Sequence, residues 1–126
     1  MRQFNILLEN KPGELARVTA ALTHTNIRSI STEKHKSGRT IVKLITHDAN
    51  STKSALTKES FEFSESEILV VSLIDRPGEL HKVAKRLGDE GVNIIDIYLV
   101  DRATLAVNVS PNQLDIAKEL LAENLV

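Results

Sequence analysis

Hydrophobic residues along the first part of the chain follow two different periods. Residues 3–10 alternate between apolar and polar side chains, which is typical of a strand with one buried face. Residues 14–25 carry apolar side chains at helical spacing, at Leu15, Val18 and Leu22, which predicts a helix. The chain is therefore expected to open with a strand and a helix.

Four further elements are predicted in the first half of the chain. They are strands over residues 27–35 and 40–47, a helix over 48–58 and a strand over 60–65. The sequence KSGR between the first two of these strands has the composition of a hairpin turn. Asp48 or Asn50 is expected to cap the helix. The predicted order is β-α-β-β-α-β.

A six-residue segment occurs twice, as NKPGEL at residues 10–15 and as DRPGEL at residues 75–80, a spacing of 65 residues. The flanking apolar positions stay in phase at the same spacing. The matched pairs are Phe4 and Leu69, Ile6 and Val71, Leu8 and Leu73, Val18 and Val83, and Leu22 and Leu87. Self-similarity at a fixed period indicates a structural repeat. We therefore expect two copies of one unit, at residues 1–65 and 66–126.

The second copy is predicted to repeat the order of elements. It has strands over residues 67–75, 92–100 and 103–110, and helices over 78–91 and 110–124. Ser110 is expected to cap the last helix, with Pro111 in the first turn and Gln113 completing a capping box. The last strand of the first copy has its counterpart only at the final residue, Val126, so the second copy nearly lacks its fourth strand.

The β-α-β-β-α-β order is that of the ferredoxin-like fold. The predicted fold class is therefore α+β, with two ferredoxin-like units in tandem, each an antiparallel sheet with its helices on one face. A unit of about 60 residues buries too little surface to be very stable alone, so we expect the two units to pack together. Residues 68–74 are apolar on both faces of their strand, which predicts cover by the other unit or by a second subunit. A homodimer is the expected assembly.

Composition excludes several function classes. The chain is 41% hydrophobic and 26% charged, as in globular proteins, and its net charge of −1 argues against nonspecific nucleic-acid binding. It has no cysteine, and its four histidines lack metal-ligand spacing, so no metal or cofactor is expected. No apolar run reaches the roughly 20 residues of a membrane span, and the N-terminus lacks the features of a signal peptide. We expect a cytoplasmic protein that does not bind a membrane.

The repeated turn has a structural and a functional interpretation. In the structural one, proline and glycine make the turn and the glutamate favours the helix N-terminus. In the functional one, the backbone N–H groups of the helix start bind a carboxylate, while Asn10 or Asp75 binds an ammonium group. Glycine lets the ligand approach the backbone, so we expect a bulky residue at Gly78 to remove binding and leave the fold mostly intact, provided that its φ is negative. Together these groups suit an amino acid.

The segments DRPGELHKVAKRLGDEGVNIIDI (residues 75–97) and NKPGELARVTAALTHTNIRSIS (residues 10–31) resemble the ACT domain. ACT domains are ferredoxin-like regulatory modules that bind amino acids and other small metabolites at ACT–ACT interfaces. The resemblance covers both copies and is similar to that of small tandem ACT proteins without a catalytic domain. It implies ligand contacts from the repeated turn and from the start of the second strand. The implied ligand-binding residues are Asn10, Lys11, Pro12, Gly13, Glu14, Leu15 and Arg28 in the first copy, and Asp75, Arg76, Pro77, Gly78, Glu79, Leu80 and Asn93 in the second.

Two departures from the ACT pattern affect these expectations. Arg28 stands in the first copy where the second has the family's asparagine, Asn93, so the second copy is the better candidate site. Leu8 and Leu73 occupy the positions at which serine-binding members have a histidine, so serine is not a favoured ligand.

The leading hypothesis is a non-enzymatic, allosteric regulator that senses an amino acid or a related small carboxylate. One alternative is a regulatory subunit that acts mainly by protein–protein contact with a partner enzyme or regulator. A lesser alternative is a ferredoxin-like acyl-phosphate hydrolase, with Arg76 and Asn93 as its functional residues. RNA binding on this fold requires aromatic residues on the central strands, and the chain has only three phenylalanines and one tyrosine.

Overall fold

The computed structural model describes residues 1–126, which form two compact units. The N-terminal unit spans Arg2–Ser66, and the C-terminal unit spans Glu67–Val126 together with Met1. Each unit has its own sheet and its own hydrophobic core. The fold class is α+β, and each unit follows the ferredoxin-like order of elements, which in the C-terminal unit ends before the last strand.

The N-terminal unit contains all six predicted elements. They are β1 (Arg2–Leu8), α1 (Glu14–Ala21), β2 (Ile27–Lys34), β3 (Thr40–Thr46), α2 (Ala49–Lys58) and β4 (Glu62–Glu67). The sheet order is β2-β3-β1-β4, with β3 antiparallel to both β1 and β2. Asp48 caps α2, since its Oδ1 accepts a hydrogen bond of 3.0 Å from the Ser51 N–H.

The core of the N-terminal unit lies between the sheet and its two helices. Alternate residues of β1, from Phe4 to Leu8, are buried against Val18 of α1 and Leu56 of α2. Because both helices contribute to one cluster with the same strand face, both helices cover that face. This is the arrangement predicted from the period of two in β1 and the helical spacing in α1.

The C-terminal unit repeats this plan with three strands. Its elements are β5 (Leu69–Ser72), α3 (Glu79–Asp89), β6 (Ile94–Asp101), β7 (Thr104–Val109) and α4 (Leu114–Leu120), with short 3₁₀ turns at Pro111–Gln113 and Ala122–Asn124. The sheet order is β5-β7-β6, with antiparallel pairing. No fourth strand forms. In its place Leu125 makes a single antiparallel bridge to Val71, and the Val126 N–H donates a 2.9 Å hydrogen bond to the Val70 carbonyl.

Strand β5 is buried on both faces. Leu69 and Val71 belong to the core of the unit, and Ile68 and Val70 are also buried. The doubly apolar sequence of this segment therefore corresponds to burial on both faces over residues 68–71, whereas Ser72 and Ile74 are exposed. The strand itself is shorter than the predicted 67–75, because a backbone hydrogen bond from the Arg76 N–H to the Ile74 carbonyl begins the turn.

Two helices differ from their predicted extents. Helix α1 ends at Ala21 instead of residue 25, where the Leu22 and Thr25 N–H groups make the three-residue hydrogen bonds of a tightened end. The prediction of a single helix over residues 110–124 capped by Ser110 is wrong. Ser110 makes no side-chain cap, residues Pro111–Gln113 form a 3₁₀ turn and the α-helix proper begins at Leu114. The capping box fails because the Gln113 side chain bonds to another segment, described below.

Candidate ligand-binding site

Each repeated turn ends at a glycine with the same unusual backbone conformation. Gly13 and Gly78 each have a φ of +90° and directly precede α1 and α3. Non-glycine residues seldom adopt this conformation, because their Cβ clashes with the backbone. The condition attached to the Gly78 expectation, a negative φ, is therefore not met, and a bulky residue there is expected to strain the turn. A Cβ at Gly78 would meet no atom within 4 Å, so the constraint comes from the backbone and not from crowding.

The turn of the N-terminal unit forms the wall of a pocket of about 230 Å³. No side chain caps the start of α1, so the first-turn N–H groups keep their capacity to donate to a ligand. Leu15, which is 46% exposed, provides apolar surface. The residues lining the pocket are Leu8, Glu9, Asn10, Lys11, Glu14, Leu15, Thr32, Thr40 and Val42. Four of the candidate residues of this unit, Asn10, Lys11, Glu14 and Leu15, are thus brought together.

Glu14 provides a fixed negative charge in this pocket. Its Oε2 lies 2.9 Å from the Arg17 Nε, and its side chain is only 13% exposed. The hydrogen bond from Arg17 lowers the pKa of the Glu14 carboxyl below its ordinary value. The Arg17 guanidinium also lies 4.2 Å from the centre of the Phe61 ring, a cation–π contact that holds the guanidinium in place. Lys11 lines the same pocket, so the pocket contains both a negative and a positive side chain.

In the C-terminal unit the turn's charged side chains pair with one another. Asp75 Oδ2 lies 2.9 Å from the Arg102 Nε. Glu79 accepts hydrogen bonds from Arg76 and Lys82, and these bonds lower the pKa of the Glu79 carboxyl. Asp75, to which the sequence assigns the role of binding an ammonium group, is therefore already paired with a cation of its own unit.

Asn93 lies at the start of β6 and is held by residues of the neighbouring turn. Its side-chain Nδ2 donates to the Ser110 Oγ at 3.2 Å, and its backbone N–H donates to the Gln113 Oε1 at 2.8 Å. The Gln113 Nε2 in turn donates to the Gly91 carbonyl at 2.8 Å. The sequence predicts Gln113 to be a helix-capping residue, and nothing in its local pattern indicates these hydrogen bonds to the Gly91 carbonyl and the Asn93 N–H.

In both units the turn and the start of the second strand lie at opposite ends of the sheet. In the N-terminal unit Leu8 pairs with Thr40, whereas Ile27, beside Arg28, pairs with Thr46. Six residue steps along β3 correspond to about 20 Å, at roughly 3.3 Å per residue. The C-terminal unit has the same arrangement for Asp75 and Asn93, since Ser72 pairs with Thr104 and Ile94 with Val109. An amino acid is too short to contact both ends within one unit.

The sequence-based candidate list omits Arg17, which supports the N-terminal pocket, and five of the residues that line it, Leu8, Glu9, Thr32, Thr40 and Val42. Thr32 and Thr40 each contribute to its lining, and Arg17 fixes the Glu14 carboxylate. The only sequence signal for Arg17 is its position three residues after Glu14, a spacing at which side chains of a helix are neighbours. The two threonines are indicated only by the pairing of β2 and β3, which places them beside the end of β1.

Comparisons with known proteins identify the fold of the complete chain. No family model and no curated protein matches the sequence. Protein BT0572 from Bacteroides thetaiotaomicron matches with a TM-score of 0.86 and 28% identity, over 99% of this chain and 90% of that one. The ligand-free regulatory subunit of aspartate kinase from Thermus thermophilus matches with a TM-score of 0.67 and 17% identity, over 98% and 91% of the two chains.

A third structure, the regulatory subunit of aspartate kinase from Thermus flavus, matches with a TM-score of 0.63 and 19% identity, over 97% and 90% of the two chains. At 17% and 19% identity these likenesses to aspartate kinase subunits show the fold alone. The tandem arrangement of two ferredoxin-like units is therefore shared almost from end to end.

Three further findings bear on the function classes considered from the sequence. None of the helices combines the length and the apolar character needed to cross a bilayer. No group of three or more His, Cys, Asp or Glu residues is arranged to hold a metal ion. Arg76 and Asn93, the pair required by the hydrolase alternative, lie at opposite ends of their sheet and form no common site within the unit.

Proposed function

We propose that this protein is a non-enzymatic regulator that binds an amino acid or a related small carboxylate in the pocket beside the NKPGEL turn. The observation that carries the proposal is the pocket itself. It combines an uncapped helix start, both signs of charge and apolar surface within about 230 Å³. The sequence favours the DRPGEL turn, whereas the pocket brings together four of the candidate residues at the NKPGEL turn.

Each part of an amino acid has a partner in this pocket. The ligand carboxylate accepts hydrogen bonds from the first-turn N–H groups of α1, and Lys11 adds a positive charge. The ligand ammonium group pairs with Glu14, which Arg17 keeps ionised. The side chain of the ligand packs against the exposed Leu15. Glycine at position 13 gives the turn the backbone conformation that presents the N–H groups.

A neighbouring unit completes the site in this proposal. The resemblance to ACT domains implies contacts from the start of a second strand, where Arg28 and Asn93 lie. Within one unit that position is about 20 Å from the turn, at roughly 3.3 Å per residue. These contacts therefore come from another unit, and ligand binding is linked to the packing of units. Such linkage is how a ligand biases the state of an assembly.

The regulatory part of the proposal is supported by the shared fold with regulatory subunits of aspartate kinase. We infer that the protein likewise acts on a partner enzyme or regulator and has no catalytic activity of its own.

Calorimetric titration of the twenty amino acids, with matched variants of the two turns, tests the proposal. Lys11→Met removes the charge that faces the ligand carboxylate, and Arg76→Met makes the equivalent change in the other turn. Loss of a charged hydrogen bond of about 1.5–3 kcal/mol predicts a roughly 10- to 100-fold weaker affinity for Lys11→Met. Arg76→Met is expected to bind like the parent. The opposite result would place the site at the DRPGEL turn, and no binding of any amino acid at millimolar concentration would reject the sensor function.

A second candidate function is regulation mainly through protein contact, and the exposed side of β6 favours it. Ile97 and Leu99 pair with core residues of β7 but are themselves 37% and 60% exposed. The equivalent residues of β2 are the polar Thr32 and Lys34. An apolar row on an edge strand is a surface for association, so we propose that β6 forms the contact in a homodimer.

A further inference from the structure

A groove of about 370 Å³ lies between helices α1 and α2 of the N-terminal unit, away from the NKPGEL turn. Ala21 of α1 and Ala55 of α2 form its sides, and the exposed Glu59 lies at the C-terminal end of α2. Ser54, His24 and Lys58 complete its rim. The groove plays no part in the function proposed above.

The internal repeat shows which side chains occupy the equivalent place in the C-terminal unit. Val18 of α1 and Leu22, which directly follows α1, are buried like Val83 and Leu87 of α3, 65 residues later, so Ala21 corresponds to Arg86. Buried Leu56 of α2 corresponds in the same way to buried Leu121, which follows α4. Ala55 therefore corresponds to Leu120, and Glu59 to Asn124.

In the C-terminal unit the groove is filled by a guanidinium group. The half-buried Arg86 Nη1 donates hydrogen bonds to the Leu120 carbonyl at 3.2 Å and to the Asn124 Oδ1 at 3.4 Å. Arg86 thus connects α3 to the C-terminal end of α4, where backbone carbonyls lack helical partners and attract a cation. The Leu120 side chain packs against the core beside it.

The N-terminal unit keeps the acceptors and lacks the donor. The Ala55 carbonyl accepts one hydrogen bond, from the Glu59 N–H at 3.2 Å, and a carbonyl oxygen can accept two. Glu59 offers a carboxylate where the other unit has the neutral amide of Asn124, and a carboxylate is the stronger acceptor for a guanidinium. Alanine at positions 21 and 55 leaves open the space that Arg86 and Leu120 occupy in the other unit.

We propose that the α1–α2 groove binds a guanidinium group carried on an aliphatic stem and supplied by another molecule. The five N–H donors of a guanidinium match acceptors spread over a helix end and a carboxylate, which a compact ammonium group does not. The stem packs against Ala21 and Ala55. Lys58 at the rim distinguishes the two possible sources, since it can pair with the carboxylate of free arginine but not with the peptide group of an arginine residue.

NMR titration of the full-length protein with N-acetyl-arginine methylamide tests the proposal, and N-acetyl-lysine methylamide is its chemical control. We expect amide shifts of Ala21, Ala55 and Glu59 that saturate in the millimolar range with the arginine compound and are at least several-fold weaker with the lysine compound. Ala21→Arg fills the groove from within, as Arg86 does in the other unit. It should abolish the shifts and raise the melting temperature by about 2–5 °C.

Two further variants keep the test decisive. Ala16→Arg adds the same charge at an exposed position of α1 outside the groove and should leave the titration unchanged. Glu59→Gln keeps a neutral acceptor like Asn124 and should weaken binding by about threefold, the small effect of an exposed charge pair. This variant tests the proposal even if Ala21→Arg fails to fold.

Tighter binding of free L-arginine than of the capped compound identifies a free metabolite, and equal or weaker binding identifies an arginine residue of a partner protein. Shifts that persist in folded Ala21→Arg, equal binding of the lysine compound, or no shift at tens of millimolar would overturn the proposal.

Discussion

The glycine before each helix illustrates how one residue can serve both the fold and a ligand site. Gly13 and Gly78 have a φ of +90° and open space where a Cβ would lie. The same conformation that ends the turn also leaves the N–H groups of the helix start uncovered by a side chain. A substitution at either glycine therefore changes stability as well as binding, and its effect on binding has to be separated from its effect on folding.

Gly78→Ala is expected to destabilise the protein by about 1–2 kcal/mol, because alanine is strained in the left-handed region. The matched control is Gly88→Ala in α3, where a Cβ also meets no atom within 4 Å and the φ is not positive. That substitution should stabilise the protein by about 0.8–1 kcal/mol through helix propensity. Urea-unfolding midpoints of the two variants measure both effects. Equal destabilisation by the two substitutions would contradict the assigned role of the positive φ.

The ion pairs of Glu79 predict a dependence of stability on pH. Hydrogen bonds from Arg76 and Lys82 lower the pKa of the folded-state carboxyl below its ordinary value of 4.5. The stabilisation is therefore present above pH 4.5 and is lost as the pH falls through the lower, folded-state value. Glu79→Gln should be less stable than the parent at pH 6 and should lose less stability on acidification below pH 4.5. Thermal unfolding as a function of pH measures this difference, with the exposed Glu90→Gln as the control for removal of one carboxylate. If Glu79→Gln and the parent lost the same stability on acidification below pH 4.5, the assigned role of the Glu79 ion pairs would be contradicted.

Residue types in the repeated turn could be read from the sequence, but their partners could not. Proline and glycine predict a turn wherever they occur together, and both turns form where the sequence placed them. The partner of Asp75 is Arg102, which lies 27 residues later and reaches it only because β6 and β7 return to the same end of the sheet. A pattern local to the turn carries no information on such a contact.

At the scale of secondary-structure elements, the start of the last helix is the place where local pattern and tertiary structure disagree. The sequence SPNQ has the features of a capping box, but the Gln113 side chain connects the Gly91 carbonyl to the Asn93 N–H. Both of these backbone groups lie between α3 and β6, where no strand or helix pairs them. The Gln113 side chain therefore pairs backbone groups of a loop of the same unit and does not cap its own helix.

Gln113→Ala is expected to destabilise the protein by about 1–2 kcal/mol, since it removes two hydrogen bonds worth roughly 0.5–1.5 kcal/mol each. Asn112→Ala changes an exposed side chain in the same 3₁₀ turn and should have little effect. Hydrogen exchange provides the specific measurement, because the Asn93 amide should exchange faster in Gln113→Ala while the amides of β7 remain protected. If the Asn93 amide exchanges at the parent's rate, the hydrogen bond to Gln113 does not form in solution.

The predicted elements agree best with the structure where their apolar periodicity corresponds to buried side chains. Val18 in α1 and Leu22 at its end recur at helical spacing and are buried, and Val83 and Leu87 repeat this in α3. The ends of helices and strands are determined by local backbone hydrogen bonds and not by burial. Helix α1 ends near Leu22 through backbone hydrogen bonds that any residue can make, so periodicity alone extended it too far.

At the scale of the whole molecule, the repeat is most informative where its two copies differ. The same positions carry Thr32 and Lys34 in β2 but Ile97 and Leu99 in β6. Charged and polar residues on an edge strand prevent pairing with other chains, whereas an apolar edge favours it. The two units thus present one protected edge and one edge suited to association, and the predicted homodimer is assigned to the second.

Leu99→Lys gives β6 the residue that β2 has at the same position, Lys34, and is expected to abolish the homodimer. Leu99 is 60% exposed, so the substitution places a charge in the proposed contact and leaves the core of the unit unchanged. Light scattering should report a dimeric mass for the parent at micromolar concentration and a monomeric mass for Leu99→Lys, with unaltered circular dichroism. Ser31→Lys, which adds the same charge to an exposed position of β2, should remain dimeric. A monomeric parent would reject the dimer, and a dimeric Leu99→Lys would move the interface away from β6. Because the proposed ligand site requires contacts from a second unit, the effect of Leu99→Lys on amino-acid affinity also shows whether the β6 contact contributes to it. Weakened binding places the site between two chains, and unchanged binding shows that the β6 contact is not needed for the site.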